Sequence, residues 1–238
     1  AGCVLANRLS ADPQNSVCLL EAGPRDWNPF IRMPLGVIVL MWGKAFNWGY
    51  HTVAQTRMNN REMFWPRGKT LGGSSSVNAQ CYTRGNAWDY DHWESLGNPG
   101  WGYKDVLPLF KRCEHYEPGG EGPFHGVNGN LNIAELKFRH PVSEAFVTAG
   151  VQAGHPATDD FNGASQEGVG YFQLFTRKGL RCSTAVGYLR PARKRANLTI
   201  QTNAQATQVH FESAESKRIN AVSYRQQNRL LTVKANKE

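Results

Sequence analysis

The chain has 238 residues, of which 40% are hydrophobic and 19% charged, and its formal net charge is +8. This composition is typical of a folded globular protein and excludes an intrinsically disordered chain. No apolar run approaches the ~20 residues that span a bilayer as a helix; the best run, residues 34–42, is much shorter. The one dense basic cluster, residues 190–195, has no interleaved aromatic side chains, so we expect a solvated face and no nucleic-acid partner.

The five cysteines are an odd number at irregular spacing, and none forms a CxxC pair: Cys3, Cys18, Cys81, Cys113 and Cys182. This pattern argues against a disulfide framework and is typical of a reducing compartment. The histidines stand singly, without metal-ligand spacing, so no metal site is predicted. We expect a cytoplasmic protein. The positive charge leaves peripheral association with a membrane open.

The first elements resemble half of a β–α–β unit. Residues 1–10 combine apolar side chains at helical spacing with small residues that let a helix approach a sheet. A polar turn follows, and residues 17–20 (VCLL) predict a buried parallel strand ending at Glu21. Helix, strand and acid form the second half of the unit. We therefore expect the chain to lack the first strand.

Later segments predict a mixture of elements. Residues 24–63 predict loops and short helices, and residues 117–129 predict a further loop. Helices are predicted over 87–96, 103–115 and 141–153, and strands over 168–175, 198–202 and 207–211. Helices and strands do not alternate cleanly after the first unit. The predicted fold is therefore α/β (α+β overall), a Rossmann-like domain without its first strand, interrupted by a mixed region.

Gly2 and Glu21 are the first candidate cofactor residues. In a dinucleotide-binding unit the third glycine of GxGxxG lets the helix pack on the strand, and an acid about 20 positions later accepts hydrogen bonds from the ribose. Glu21 follows Gly2 by 19 positions, with a helix and a strand between them. A purely structural reading, a helix-packing glycine and a strand-end acid, accounts for the pair equally well.

Residues 67–78 (RGKTLGGSSSVN) predict a second cofactor loop. Glycines without a Cβ let backbone amides approach a ligand and form a concavity that binds anions. Serine hydroxyls can bond a pyrophosphate, and an asparagine amide can satisfy the edge of a heterocycle. A flexible linker is the alternative, but the flanking WPR and VNAQCY segments are unlike a linker. Two loops distant in sequence indicate a large cofactor, such as a flavin dinucleotide.

Residues 67–93 (RGKTLGGSSSVNAQCYTRGNAWDYDHW) resemble the first signature of the glucose–methanol–choline (GMC) family of flavin-dependent oxidoreductases. Residues 1–23 resemble that family's dinucleotide motif, cut after its second glycine. Further matches lie at residues 99–116, 129–133, 160–173 and 181–209, so the resemblance covers nearly the whole chain. Among family members, the chain most resembles the bacterial choline dehydrogenase-like alcohol dehydrogenases.

The resemblance implies FAD as the cofactor. Glu21 would bind the adenosine ribose, Ala206 would face the adenine through its backbone, and Asn78 with Ala79 would lie along the isoalloxazine. Some relatives attach FAD through a His just before the motif's Asn; Val77 stands there, so we predict noncovalent FAD. The residues predicted to bind FAD are Gly2, Glu21, Arg67, Gly72, Gly73, Ser74, Asn78, Ala79 and Ala206.

The resemblance also implies a reaction, in which hydride passes from the CH–OH carbon of an alcohol to flavin N5. The substrate would be a choline-like or other primary alcohol, and the electron acceptor oxygen or a quinone. A base must accept the hydroxyl proton, and the family uses a C-terminal His for it. We expect that His beyond residue 238 and predict no catalytic residue within the chain.

The implied domains are an incomplete FAD-binding domain, residues 1–137 and 179–238, and the start of a substrate-binding domain, residues 138–178. A non-catalytic nucleotide-binding or interaction fragment is the alternative. Removing a central strand exposes unpaired backbone groups and apolar sheet faces. We therefore predict that the isolated 238 residues unfold without a cooperative thermal transition. The oligomeric state is not predicted.

Overall fold

The computed structural model describes residues 1–237. The chain forms two compact units, Ala1–Ala79 with Ser183–Glu238, and Gln80–Cys182. The first division, after Ala79, lies far from the predicted boundary after residue 137, whereas the second, after Cys182, lies close to the predicted boundary after residue 178. The compact units are defined by contacts and the predicted domains by the group each would bind. The functional division therefore stays a prediction.

In chain order the helices are α1 (Gly2–Leu9), α2 (Pro29–Arg32), α3 (Val37–Trp42), α4 (Ala87–Ser95), α5 (Tyr103–Cys113), α6 (Pro141–Gln152) and α7 (Arg190–Ala192). The strands are β1 (Val17–Leu20), β2 (Tyr50–His51), β3 (Phe64–Trp65), β4 (Glu114–Tyr116), β5 (Leu131–Ile133), β6 (Thr176–Arg177), β7 (Leu180–Arg181), β8 (Leu198–Gln201), β9 (Gln205–Phe211), β10 (Ile219–Gln226) and β11 (Arg229–Lys234). Short 3-10 turns occupy Pro34–Gly36, Thr56–Met58 and Gly73–Ser76, and Ala185–Leu189 is π-helical.

In the first unit, α1 packs on a parallel strand pair. Strand β1 pairs with β8 from Val17↔Leu198 to Leu20↔Gln201, which confirms both predicted strands. A Cβ added to Gly2 would lie 3.3 Å from Leu19 Cδ1, so the glycine allows α1 to approach β1 closely. The opposite side of α1 contacts the π-helical segment, where the Asn7 amide donates a hydrogen bond to the Tyr188 carbonyl (2.8 Å).

The first unit also contains an antiparallel sheet of order β11–β10–β9. The turn between β10 and β11 places Gln227 and Asn228 at φ 48° and 62°. Two successive left-handed residues are what a tight hairpin turn of type I′ requires. The sequence predicts residues 207–211 of β9 but not β10 and β11, because no Asn-Gly or Asp-Gly pair marks this turn.

The second unit confirms the helices predicted as residues 87–96, 103–115 and 141–153, with ends that differ by up to two residues. Strands β4 and β5 pair in parallel, and β6 and β7 form a short antiparallel pair. Three buried side chains, Tyr82, Tyr116 and Ile133, form an apolar cluster in this unit, and Phe175 packs against them.

The predicted strand over residues 168–175 is wrong. In this segment Val169 forms an isolated bridge with Ala157, and Leu174 forms bridges with both Cys81 and Ala134. The segment is bonded to several different partners, so no continuous ladder forms. Gly170 also approaches the Thr158 carbonyl so closely that a Cβ would overlap it, which is a typical role of glycine inside an apparent strand.

Within residues 1–237, no helix has the length and hydropathy needed to cross a bilayer. The cysteines are free thiols, and Cys3 and Cys182 are buried. In the same residues, no group of three or more His, Cys, Asp or Glu side chains is placed to hold a metal ion.

Candidate cofactor site

Glu21 lies directly after β1, where three backbone segments meet. Its amide donates a hydrogen bond to the Gln201 carbonyl (2.9 Å), and its carbonyl accepts one from the Ala204 amide (2.9 Å). Its carboxylate accepts a hydrogen bond from the Gly23 amide (2.7 Å). The backbone is therefore held on both sides, and the half-buried side chain has a defined direction.

Burial and two nearby groups act in opposite directions on the ionisation of Glu21. Burial raises the pKa of the Glu21 carboxyl above its ordinary value, although the Gly23 amide and the Lys69 ammonium favour the ionised form. A partly desolvated carboxylate accepts stronger hydrogen bonds than one in water. This is the property required of a group that binds ribose hydroxyls.

The glycine–serine loop, residues 67–78, takes its shape from two left-handed glycines. Gly72 has φ +90° and Gly73 has φ +57°, a region that favours glycine. A Cβ at Gly72 would overlap Ser76 Oγ and lie 3.2 Å from Ala185 Cβ. A Cβ at Gly73 would meet nothing within 4 Å. Gly72 therefore permits close packing, whereas Gly73, whose amide donates to the Thr70 carbonyl (2.8 Å), has open space beside its Cα.

The serine hydroxyls of this loop bond its own backbone. Ser75 Oγ donates to the Gly72 carbonyl (2.6 Å), and Ser76 Oγ donates to the Leu71 carbonyl (2.7 Å). Ser74 Oγ accepts a hydrogen bond from the Gly68 amide (3.1 Å) and is exposed. Ser75 and Ser76 thus fix the loop conformation, and Ser74 keeps its hydroxyl proton available for a ligand.

Residues 69–71 join this loop to the segment after Glu21. Thr70 Oγ1 donates to the Pro24 carbonyl (2.9 Å), and the Leu71 amide donates to the same oxygen (3.2 Å). A Cβ at Gly23 would overlap the Lys69 carbonyl. Neither Gly23 nor Thr70 was among the residues predicted from sequence to form the site. A Gly-Pro pair after a strand is a turn signal, but it does not identify which segment the turn contacts.

The first turn of α1 approaches the same loop. The Cys3 thiol hydrogen-bonds with Thr184 and with the Gly72 backbone, and burial raises the pKa of this thiol. Thr184 is also bonded to Ser75, because the Thr184 amide donates a hydrogen bond to Ser75 Oγ (3.0 Å). Helix α1 begins without a side-chain cap and without an acidic residue in its first turn. Its amides and dipole therefore suit an anion such as a pyrophosphate.

Ala206 lies in β9, opposite Tyr224 of β10. The start of this strand is tied to Glu21 because Ala204, two residues earlier, donates its amide hydrogen bond to the Glu21 carbonyl. Gly2, Glu21, the glycine–serine loop and the start of β9 thus lie in one region of the first unit. Uncapped helix amides, a half-buried carboxylate and bare glycine backbone fit a dinucleotide.

The sequence profile of the family described as GMC oxidoreductase matches residues 6–238. The chain belongs to the GMC oxidoreductase family. It is 50% identical over 228 residues to an alcohol dehydrogenase [acceptor] of Pseudomonas putida, covering 96% of this chain and 41% of that protein. It is 44% identical to an oxygen-dependent choline dehydrogenase of Sinorhizobium fredii, covering all of this chain and 42% of that protein. This GMC chain therefore spans about two fifths of the length of the curated relatives it matches.

Solved structures agree with this membership. Pyridoxine 4-oxidase from Mesorbium loti superposes with a TM-score of 0.91 at 32% identity, over 99% of this chain and 46% of that one. An FAD-dependent oxidoreductase from Chaetomium thermophilum gives 0.88 at 28% identity, over 100% and 42%. The predicted α/β fold is confirmed, and FAD is the cofactor of the family's N-terminal domain.

The remaining predicted residues of this GMC chain lie at the ends of the glycine–serine loop. Asn78 and Ala79 are exposed, and the Asn78 amide donates to the Ser74 carbonyl (2.8 Å). Arg67 is also exposed, and its guanidinium lies over the Trp65 ring, 5.5 Å from the centroid. Its amide donates to Asn47 Oδ1 (3.1 Å). The individual roles of these residues toward FAD stay predictions.

Proposed function

We propose that this chain forms most of the FAD-binding part of an enzyme that oxidises the CH–OH group of a primary alcohol. The observation that carries the proposal is the convergence of Glu21, the glycine–serine loop and the first turn of α1 in one region. The names of the relatives at 50% and 44% identity, an alcohol dehydrogenase and a choline dehydrogenase, support the substrate class. When bound, FAD supplies the acceptor for the hydride that leaves the alcohol carbon.

We assign the FAD contacts to the chemistry of each residue. The Glu21 carboxylate accepts hydrogen bonds from ribose hydroxyls, and Gly2 keeps α1 close enough to present its amides. Gly72 and Gly73, which lack side chains, and the hydroxyl of Ser74 lie against the pyrophosphate and the flavin. Arg67, Asn78 and Ala79 contact the flavin. The backbone of Ala206 contacts the adenine.

We further propose that FAD is held without a covalent bond. Val77 is 3% exposed and lies in an apolar cluster with Ile31 and Leu40. It stands where some family members have the histidine that attaches the flavin. An aliphatic side chain offers no nucleophile to the flavin. Acid precipitation should therefore leave the flavin in the supernatant.

The proton acceptor for the alcohol is proposed to come from outside these 238 residues, as a histidine of the full-length protein. We place no catalytic residue in the chain. Choline and other primary alcohols are the proposed substrates, and oxygen or a quinone the proposed electron acceptor. The protein is proposed to be cytoplasmic, with peripheral membrane association, and residues 138–178 to begin the substrate-binding domain.

The test uses the full-length gene product that contains this chain. Under anaerobic conditions the purified protein is mixed with choline, with unbranched primary alcohols and with a tertiary alcohol, and the visible flavin absorbance is followed. We expect a primary alcohol to bleach the flavin and the tertiary alcohol to leave it unchanged, because the latter has no hydrogen on its carbinol carbon. A protein that binds FAD but is bleached by none of them would favour the non-catalytic nucleotide-binding alternative.

A further inference from the structure

A buried charge cluster lies in the second unit, and none of its residues is among those assigned to FAD. It is formed by five side chains: Tyr82, Arg84, Glu114, His125 and Asp160. The Arg84 and Glu114 side chains are 3% and 2% exposed and form an ion pair of 2.7 Å. Charges this deeply buried need full hydrogen bonding to be stable.

Both side chains of the Arg84–Glu114 pair have further hydrogen-bond partners. Arg84 Nε donates to the Tyr82 hydroxyl (2.9 Å), and Nη1 donates to the Phe124 carbonyl (2.8 Å). Glu114 accepts hydrogen bonds from the Tyr82 hydroxyl and from the Gly126 amide (2.9 Å). Because these partners are donors, Glu114 is held as a carboxylate, and its pKa is lowered although burial alone would raise it.

His125 lies between two carboxylates. Its Nε2 is 2.8 Å from Asp160 Oδ2, and its Nδ1 is 3.3 Å from Glu114 Oε1. Ionised carboxylates only accept hydrogen bonds, whereas a neutral imidazole has a single N–H to donate. Only the doubly protonated ring satisfies both neighbours. Tyr116 stacks on the ring, with centroids 3.6 Å apart, and so holds its plane.

The ring connects two segments that line the same cavity. Asp160 Oδ1 accepts a hydrogen bond from the Asn162 amide (2.9 Å), and Asn162 Oδ1 accepts one from the Arg84 amide (2.7 Å). A cavity of about 290 Å³ is bounded by Arg84, Phe124 and residues 161–167, among others. His125 therefore ties residues 124–126 to residues 160–162 at the wall of this cavity.

We propose that His125 is a pH-sensitive latch: its doubly protonated ring holds residues 124–126 against residues 160–166, and loss of one proton releases them. The groups that face the ring are Glu114, Asp160 and the face of Tyr116, with Arg84 and Tyr82 behind Glu114. Deprotonation places a nitrogen lone pair against a carboxylate. The Asp160 side opens, because its side chain is 28% exposed whereas Glu114 stays bonded to Arg84.

The direction of the pH effect follows from the two carboxylates. Burial favours the neutral ring, but the hydrogen bonds with Asp160 and Glu114 outweigh burial and raise the pKa of His125 above its ordinary value of 6.5. The stabilisation is therefore complete below about pH 6.5 and is lost as the pH rises through the raised value. The lowered pKa values of Glu114 and Asp160 set the acid limit, because their contribution is lost as the pH falls through them.

Hydrogen exchange followed by mass spectrometry on the full-length protein tests the latch. The readout is the protection of residues 122–128 and 158–166, taken relative to the unstructured exchange rate at each pH. We expect protection to fall as the pH rises above neutrality, by up to about tenfold for each unit by which the folded pKa exceeds that of the open state. Protection elsewhere in the second unit, such as α6, should not follow this profile.

Two variants and one control sharpen the test. His125→Gln cannot be protonated and should abolish the pH dependence. Asp160→Asn removes one of the two carboxylates, so a neutral ring can be satisfied on both sides and the dependence should also disappear. His155→Gln, at an exposed histidine, should retain the wild-type profile. The latch would be overturned if wild type and Asp160→Asn showed the same protection at every pH.

Discussion

The glycine–serine loop is shaped mainly by its backbone, whereas the buried charge cluster is held together by charged side chains. In the loop, backbone geometry decides the structure: Gly72 and Gly73 adopt left-handed conformations, and Ser75 and Ser76 bond carbonyls a few residues away. In the charge cluster, side chains from Arg84, Glu114 and Asp160 meet across long stretches of sequence. The loop leaves open space beside Gly73, whereas the side chains of the charge cluster hydrogen-bond with one another. A loop shaped by its own backbone can therefore be recognised from sequence, whereas a charge cluster of this kind cannot.

The largest effect is expected in the charge cluster. Arg84→Met leaves the buried Glu114 carboxylate without its cation, and removing one member of a buried pair costs about 3–5 kcal/mol. The exposed Lys104–Glu94 pair is the matched control, with a separation of 3.9 Å and Lys104 77% exposed. Lys104→Met should cost about 0–1 kcal/mol. Local unfolding free energies from hydrogen exchange in the full-length protein measure both.

Equal losses of unfolding free energy in Arg84→Met and Lys104→Met would contradict the view that the charge cluster stabilises the second unit. Replacing both members, as Arg84→Met with Glu114→Leu, should recover part of the loss, because no unpaired charge is then buried. This double variant separates the loss of an ion pair from the loss of packing.

In the glycine–serine loop the expected effect falls on FAD binding. Gly72→Ala forces a left-handed alanine, which costs about 1–2 kcal/mol, and its Cβ also displaces Ser76 Oγ. We expect FAD affinity to fall more than tenfold. Gly49→Ala is the control, since Gly49 has φ +69° but no atom within 4 Å of an added Cβ. Titration of the FAD-free protein with FAD compares the two, and equal affinities would contradict the role of Gly72.

Glu21→Gln tests the carboxylate. Losing hydrogen bonds to a charged acceptor costs about 1.5–3 kcal/mol, or roughly tenfold to a hundredfold in FAD affinity. Because the pKa of Glu21 is raised, wild-type affinity should weaken on acidification from a higher pH than an ordinary carboxyl would give. The variant should lack this dependence, and Glu62→Gln, at an exposed glutamate, should retain it. Identical pH profiles for Glu21→Gln and wild type would exclude Glu21 from the FAD site.

The smallest effect is expected at Arg67. Its guanidinium is exposed and lies over Trp65, so its attraction to the anionic cofactor is screened by salt. Arg67→Ala should weaken FAD binding by less than tenfold, and the difference should shrink as the salt concentration rises. FAD titrations at low and high salt measure it. A salt-independent loss as large as that of Gly72→Ala would show that Arg67 has a direct structural role in the loop.

Local patterns predicted much of the first unit. Helical spacing with small residues predicted α1, and the apolar run VCLL predicted β1 with the bounds found. The glycines predicted a backbone that a ligand can approach; Gly72 and Gly73 both adopt left-handed conformations, and Gly73 has open space beside its Cα. These features depend on neighbours in sequence, and this is why they could be recognised.

The failures arise where distant segments decide the structure. Residues 168–175 carry apolar and aromatic side chains like a strand, but their backbone bonds are divided among Gln80, Tyr82 and Ala134. The contact between Thr70 and Pro24 and the charge cluster around His125 join residues that no local pattern relates. Tertiary context overrides propensity at such places.

The flavin content of the full-length gene product tests the central claim most directly. The protein is purified, precipitated with acid, and the supernatant and pellet are analysed for flavin by absorbance and mass. We predict FAD in stoichiometric amount, all of it in the supernatant. Flavin retained in the pellet would contradict noncovalent binding at Val77. A protein that contains no flavin and binds none when FAD is added would contradict the assignment of Glu21 and the glycine–serine loop to an FAD site.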